Sequence, residues 1–366
     1  MEIDYQERVA QLTNRIEKNE MDAAILFNQS TIRYFTGFRV NGETESVLVI
    51  ESDGTTKFLV PRLDVKRAER DCWISEIQSF LEDTPDYLAP LRGFINKDWN
   101  SIGIERKGIT VNHLNYVQSI FTGEKKSLDG LVEQQLKVKT PAEIAIIRKS
   151  AEIASITMNE VKDYIFNNNN VTEQEASGYA KYVMEKQGAE NYSFEPFIMS
   201  GTDGSLPRRV STTKKLVENE LILFDMGAIY EGYCSDITRT FALQRVNQEQ
   251  ESLFNIALKA QQKAIEAIKP GQVAKDIDAI ARDHITANGY GEHFPHLTGH
   301  GLGVDIHEYP ILDQGEESVL EENMVITMEP GIYVDNIGAA RVEDMILVTK
   351  DGYEYLTSSP RDLILT

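Results

Sequence analysis

The sequence predicts an α/β domain over residues 1–130 and an α+β domain over residues 131–366, the second built as an internal repeat with pseudo-twofold character. Three observations carry this. Short apolar strands alternate with helical stretches to about residue 125. A polar stretch, 125–139, then leads to a sharp helix start at Thr140-Pro141. Beyond it one order of elements occurs twice: two helices, a strand region, and a hairpin carrying two carboxylates. A chain of 366 residues suits two domains with ample core.

In the first domain, residues 6–19 read as an amphipathic helix and 23–27 as a strand, followed by the polar turn Asn28-Gln29-Ser30. A strand at Val47–Glu51 turns through Asp53-Gly54 into 58–60, a hairpin signal. A helix is expected after Pro61, and 101–105 is a further strand. The Asp and Glu residues of this region are scattered as solvated surface charge would be, with no catalytic constellation.

The second domain opens on a capped helix. Thr140 is its N-cap, Pro141 occupies its first turn and Glu143 completes a capping box. Ile144, Ile147, Ala151, Ala154 and Met158 recur at helical spacing, carrying the helix to about Phe166, and 167–170 ends it. Thr172 with Glu175 caps a second helix to about Gly188. In the second half, helices over 248–268 and 273–287 end at Pro270-Gly271 and Asn288-Gly289.

Each helix pair leads to a hairpin. Within 221–241, Leu221-Ile222-Leu223-Phe224 starts a buried strand, Tyr230-Glu231-Gly232 is turn chemistry, and 237–241 is β-prone. A turn centred between Tyr230 and Glu231 sets Asp225 across from Asp236, where Cβ atoms lie roughly 4.5–5.5 Å apart. Like charges repel there, and a cation between them reverses the sign. Two strand-end aspartates in solvent would be the ordinary reading, but Asp225 inside Leu-Phe-Asp-Met is no solvent-facing end. In the second hairpin, 324–333 pairs with 339–349 around Asp335-Asn336-Ile337-Gly338, and Glu329 opposes Glu343. Two carboxylate pairs at matching places in two halves are far stronger evidence than one.

Of six histidines, His293, His296, His300 and His307 fall within fifteen residues. His300 lies in Thr298-Gly299-His300-Gly301-Leu302-Gly303, whose glycines suggest close backbone approach. No strand precedes it and no βαβ unit surrounds it, so this is no dinucleotide fingerprint. A lone histidine is more often structural, whereas this cluster favours a metal or catalytic role. One histidine with four carboxylates suits Mn²⁺, Co²⁺ or Zn²⁺. Two ions about 3.5–4 Å apart would balance the charge and activate a water between them. No G-x-S-x-G elbow, H-E-x-x-H helix or P-loop occurs.

The remaining composition excludes several classes. With 37 basic and 58 acidic residues the net charge is −21, unsuited to nucleic acid or an anionic membrane. No apolar run approaches a membrane span, and the start Met1-Glu2-Ile3-Asp4 does not read as a signal peptide. Cys72 and Cys234 are the two cysteines, which fits a reducing cytoplasm. Cys234 reads as a small packed residue rather than a ligand or nucleophile.

These residues resemble the pita-bread metallopeptidases, the family of methionine aminopeptidase, aminopeptidase P, prolidase and creatinase. The matching segments are Asp225-Met226-Gly227, Gly232-Tyr233-Cys234-Ser235-Asp236-Ile237-Thr238-Arg239-Thr240, Thr298-Gly299-His300-Gly301, His307-Glu308-Tyr309-Pro310, Glu329-Pro330-Gly331 and Arg341-Val342-Glu343-Asp344. With the preceding helices they span 141–366. An N-terminal α/β domain of this size resembles the prolidase and aminopeptidase P branch and argues against methionine aminopeptidase. Creatinase shares the two domains but works without metal and lacks the full ligand set.

By position, the resemblance implies two divalent ions, Mn²⁺ first, with Co²⁺ or Zn²⁺ as alternatives. Asp225 would hold one ion, His300 and Glu329 the other, with Asp236 and Glu343 bridging. His296 and His307 match histidines that contact substrate and stabilise developing negative charge. Glu329 would shuttle the proton, and Arg341 matches an arginine beside the last ligand. The implied substrates are short proline-containing peptides, above all Xaa-Pro dipeptides, cleaved by a cytoplasmic homodimer.

One position departs from the pattern. The branch carries a histidine after the proline of the segment matching Ser205-Leu206-Pro207, and here Arg208 stands there. An arginine cannot exchange a proton at neutral pH but can clamp a peptide carboxylate. Three readings stay open: a peptidase acting on dipeptides or longer peptides, a metal-binding protein that uses the cleft for recognition, and a metal-free C–N hydrolase.

Overall fold

The computed structural model describes residues 2–39, 45–81, 86–207 and 209–364. The chain divides into two compact units between Leu136 and Lys137.

The N-terminal unit contains α1 (Tyr5–Lys18), β1 (Ala23–Leu26), α2 (Gln29–Thr36), β2 (Val47–Glu51), β3 (Thr56–Pro61), α3 (Val65–Asp71), β4 (Glu76–Phe80), β5 (Ser101–Ile104), α4 (Val111–Ile120), β6 (Glu124–Ser127) and α5 (Asp129–Leu136). Its sheet runs β4-β3-β2-β1-β5-β6, with antiparallel pairs β1/β2 and β2/β3 and parallel pairs elsewhere. Central strand β1, Ala-Ala-Ile-Leu, is buried along its whole length, which explains its unbroken apolar run.

The structure adds elements to one stretch and corrects one expectation. The polar stretch at 125–139 is structured: β6 is an edge strand on β5, where lysines are tolerated. Helix α5 buries Val132 and Leu136, and its buried Gln135 donates to the Arg8 carbonyl at 2.8 Å. Nor are all carboxylates of this unit solvated, since buried Glu105 accepts a 2.6 Å hydrogen bond from the Thr31 hydroxyl.

The C-terminal unit contains α6 (Pro141–Asn167), α7 (Glu173–Lys186), β7 (Asn191–Tyr192), β8 (Phe197–Ser200), β9 (Ile222–Met226), β10 (Ala228–Tyr230), β11 (Tyr233–Cys234), β12 (Ile237–Phe241), α8 (Gln248–Glu266) and α9 (Ala274–Ala287). It continues with β13 (Gly299–Gly301), β14 (Glu308–Leu312), β15 (Val325–Met328), β16 (Gly331–Val334), β17 (Gly338–Arg341), β18 (Asp344–Thr349) and β19 (Gly352–Tyr355). Capping boxes at Thr140/Glu143 and Thr172/Glu175 start α6 and α7. Each half covers its own strands. Ile153, Met158 and Val161 of α6 pack with Phe224, Met226 and Ile237 of the first hairpin. Leu253, Phe254 and Ala257 of α8 and Ile277 and Ala281 of α9 pack with Ile326, Met328 and Ile346. None of the described helices is long and apolar enough to cross a membrane.

The two hairpins set the site. In the second, the pairs Met328↔Asp344 and Gly331↔Arg341 carry Glu329 opposite Glu343, between β15/β18 and β16/β17. The first hairpin differs from the expected register by two residues. Its turn is Glu231-Gly232, both at positive φ (46° and 87°), with Tyr230 opposite Tyr233. Such two-residue turns match the twist of the flanking strands, and Gly232 suits the left-handed position. Thr238, not Asp236, therefore faces Asp225. At Gly227 the two strands pass so closely that a Cβ would lie 1.8 Å from the Ser235 carbonyl oxygen.

Candidate metal centre

Asp225 closes on β9 and Asp236 precedes β12, so the first hairpin presents both on one side of its bend. Glu329 and Glu343 come from the breaks in the second hairpin, and His300 from the middle of β13. Ligand atoms of Asp236, His300 and Glu343, all buried, lie within 4.8 Å of one another. His300 Nε2 is 3.3 Å from Glu329 Oε1 and 3.7 Å from Asp236 Oδ2. Its Nδ1 lies 2.9 Å from the Gly301 carbonyl, a contact that holds the proton on Nδ1 and leaves Nε2 as the donor atom for a cation.

The electrostatics of this group favour a cation. Burial, then repulsion from neighbouring carboxylates, pushes Asp236 and Glu343 well above the carboxylate range. Burial raises Asp225 to about 6, although the Arg341 guanidinium beside it pulls the other way. Glu329 is the exception: burial would raise it, but His300 and Arg341 bring it down to about 2. Asp225 Oδ1, Asp236 Oδ1 and Glu343 Oε1 are buried without any hydrogen-bond partner. Buried carboxylate oxygens in that state are costly unless a cation meets them. One imidazole nitrogen among these oxygens is the donor set of a divalent ion of intermediate hardness, so Asp225, Asp236, His300, Glu329 and Glu343 can hold metal.

Other side chains orient the group. Thr238 Oγ1 donates to Glu343 Oε2 at 2.6 Å and accepts from Arg341 Nε at 3.1 Å. Arg341 also contacts Asp225 Oδ2 and donates to the Tyr333 hydroxyl at 2.7 Å. The Tyr333 oxygen is 3.1 Å from His296 Nε2, and His296 Nδ1 is 2.7 Å from the Leu297 carbonyl. Burial lowers His296 and raises Tyr333 to about 12, so a neutral phenol donates to a neutral imidazole. Behind the cluster, buried Arg239 donates to the Glu343 carbonyl and to Asp344 Oδ1 at 2.7 Å. Thr238, Tyr333 and Arg239 were given no role by sequence reading. Thr238 and Arg239 stand inside one quoted segment and Tyr333 two residues after another, but their partners Glu343, Asp344 and His296 lie far along the chain.

A cavity of about 400 Å³ opens onto the group, lined by Asp225, Asp236, His296, His300, His307, Glu329 and Arg341. Phe194, Phe197, Pro207, Leu297 and Ile306 form its apolar walls. The His307 and His300 rings lie 4.4 Å apart between centroids. His293 is not brought in: its ring packs near Tyr290 instead. Arg208 lies outside the described residues. Cys234 is buried, and burial pushes its thiol up, so it is inert.

The sequence profile of metallopeptidase family M24 matches residues 145–350, more than half of the chain. The chain belongs to metallopeptidase family M24. Residues 8–135 of this peptidase match the creatinase/prolidase N-terminal domain. An uncharacterized peptidase of Staphylococcus aureus (strain bovine RF122 / ET3-1) is 36% identical over 353 residues, 96% of this chain and 98% of that protein. The solved structure of the prolidase from Pyrococcus horikoshii OT3 is 33% identical and superposes with a TM-score of 0.90, covering 98% of this chain and 100% of the other. The Xaa-Pro dipeptidase from Bacillus anthracis gives the same identity and TM-score over 99% of this enzyme and 100% of its own chain. The M24 enzyme therefore has the two-domain pita-bread fold of the prolidase and aminopeptidase P branch.

Proposed function

We propose that the enzyme hydrolyses the peptide bond between an N-terminal residue and proline in short peptides, Xaa-Pro dipeptides among them, with two divalent ions, Mn²⁺ first, as cofactors. The observation that carries this reading is the set of three partnerless buried oxygens on Asp225, Asp236 and Glu343. Asp225, Asp236, His300, Glu329 and Glu343 would hold the ions. Bound there, such ions polarise a carbonyl and make water acidic enough to attack at neutral pH.

The chain's own residues supply the rest. Glu329 receives the proton of the attacking water at Oε2 and returns it to the leaving nitrogen. His307, on the cavity wall beside His300, donates to the oxyanion that develops on the scissile carbonyl. His296 contacts substrate and is held in one orientation by Tyr333 and the Leu297 carbonyl. Arg341, on the cavity lining, fixes Asp225 and Thr238. The apolar walls suit the pyrrolidine ring, whose tertiary amide brings no N–H in need of a partner.

The test is metal analysis of protein purified without chelator, followed by turnover of Xaa-Pro dipeptides with Mn²⁺, Co²⁺ or Zn²⁺. Turnover that chelation abolishes and metal restores is the expected result. Metal-replete protein inactive on every Xaa-Pro peptide overturns the reading, and full activity without metal assigns the site to metal-free hydrolysis.

A further inference from the structure

His307 is exposed and lines the cavity, so its aim depends on how the backbone beneath it is held. That backbone is the connection 302–307 between β13 and β14. Burial alternates along the start of β14, and His307 extends the pattern, exposed where the next residue, Glu308, is buried. Successive side chains on extended chain leave on opposite sides, so Glu308 reaches inward from beneath the histidine.

Glu308 ties separate segments together. Its Oε2 accepts from Lys139 Nζ at 2.5 Å, and the two side chains are only 3% and 2% exposed. Its Oε1 accepts from the Asp305 N–H at 3.0 Å, inside the connection itself. Lys139 directly precedes Thr140, the N-cap of α6, and its own N–H donates to the Asn323 carbonyl at 2.9 Å. The connection closes tightly over the pair: a Cβ at Gly303 would lie 2.8 Å from both Glu308 carboxylate oxygens and 2.9 Å from Lys139 Nζ. The Gly303 carbonyl in turn accepts from the Cys234 N–H of the first hairpin at 2.7 Å.

We infer that Lys139 and Glu308 are positioning residues for His307, fixing the connection 302–307 so that the imidazole meets the developing oxyanion. This rests on the proposed Xaa-Pro peptidase reading, in which His307 donates to that oxyanion, and names what aims it. A buried ion pair is a poor source of stability, because desolvation of both charges offsets most of their attraction. What it supplies is direction: the carboxylate has one place where it meets both Lys139 Nζ and the Asp305 N–H. Neither Lys139 nor Glu308 is among the described residues that line the cavity, so the pair acts on the reaction through the histidine.

The experiment measures metal content, Tm, kcat and KM on Xaa-Pro dipeptides for the full chain loaded with Mn²⁺. The variants are His307→Ala, the double substitution Lys139→Met with Glu308→Leu, and all three changes together. Replacing both charges by apolar groups leaves no lone buried charge, so the double variant is expected to fold and to hold as much metal as wild type. Its kcat should fall about 100-fold, the scale of a catalytic group misplaced by about 1 Å. KM should change little, because the oxyanion forms only after the substrate has bound. The triple variant should be no slower than His307→Ala, since the pair acts through a ring that is no longer there. Should the double variant not fold, Glu308→Gln, which keeps the shape, is read in the same cycle with His307→Ala. Wild-type kcat without the pair, or losses that multiply with that of His307→Ala, overturn the inference. Loss of metal also overturns it, because the pair would then act on His300. Any of these with an active wild type sinks this inference alone, whereas a metal-loaded wild type inactive on every Xaa-Pro peptide sinks the Xaa-Pro reading itself.

Discussion

The Thr238 hydroxyl lies 2.6 Å from Glu343 Oε2 and donates to it, joining the first hairpin to the second at the carboxylate cluster. Thr238 stands opposite Asp225 in the strand register, so one side chain relates ligand candidates from both halves of the repeat. Thr238→Val keeps the shape and removes the donor. Metal affinity is expected to fall about 10–100-fold, the usual cost of losing a partner behind a ligand. Calorimetric titration with Mn²⁺ checks this. Unchanged affinity would mean that the backbone bond from Glu343 N to the Thr238 carbonyl, at 3.0 Å, positions the glutamate alone.

Removing metal should cost both activity and stability. Without cations, Asp225, Asp236 and Glu343 crowd together with buried oxygens unpartnered. Chelation is expected to abolish Xaa-Pro turnover and lower Tm, with Mn²⁺ or Co²⁺ restoring both. Ions present at a hundredfold excess over Kd stabilise the folded state by about 2.7 kcal/mol. Glu343→Ala should no longer respond to added Mn²⁺ in a thermal melt. A normal metal-dependent rise in that variant would remove Glu343 from the ligand set.

The features legible in the sequence were those with local causes. Thr140-Pro141 with Glu143, and Thr172 with Glu175, announce their helices within four residues, and the structure starts α6 and α7 there. The second hairpin's register followed from its loop. That of the first was misplaced by two because the turn was centred between Tyr230 and Glu231, whereas Tyr230 pairs with Tyr233 and the turn is Glu231-Gly232. A shift of two keeps the side-chain alternation, so Asp225 and Asp236 remain on one side of the hairpin. Strand β6 was hidden because an edge strand of Glu-Lys-Lys-Ser looks like solvent-exposed loop. Arg239 and Tyr333 were illegible for another reason: Arg239 meets Asp344 across 105 positions, and Tyr333 meets His296 across 37.

Glu173 offers a pH-dependent test of the network that holds Arg209. Burial alone would raise its carboxyl, but bonds from Arg209, Ser200 and Thr212 hold it below the ordinary 4.5. The folded protein therefore keeps Glu173 charged at pH values where the unfolded chain takes up a proton. Its contribution to stability is complete above about 4.5 and is lost as pH falls through the depressed folded value. Glu173→Gln removes the buried carboxylate that meets Arg209, leaving it Thr212, and Asp203 at 4.0 Å, and should destabilise by about 3–5 kcal/mol at pH 7. Denaturant melts should show the gap to wild type narrowing below pH 4.5. A gap that stays constant as the pH falls well below 4.5 would refute the assignment.

Tyr333 tests whether orientation can be separated from metal binding. Its hydroxyl accepts from Arg341 at 2.7 Å and lies 3.1 Å from His296 Nε2. Because burial lifts the phenol to about 12, it remains a donor throughout the neutral range. Tyr333→Phe leaves Arg341 its contacts with Asp225 and Thr238, so the carboxylate cluster should keep its metal. His296 Nε2 loses its donor, and one guanidinium N–H of Arg341 loses its acceptor. Leaving buried groups unsatisfied costs about 1–3 kcal/mol, which should appear as a lower Tm. Turnover of Xaa-Pro dipeptides should fall by about tenfold or more, the rate equivalent of about 1.4 kcal/mol, because His296 is no longer held against the cavity wall. Metal content by elemental analysis should match wild type. Loss of metal in Tyr333→Phe would show that the tyrosine acts through Arg341 on Asp225, and normal turnover with full metal would leave His296 without a part in the reaction.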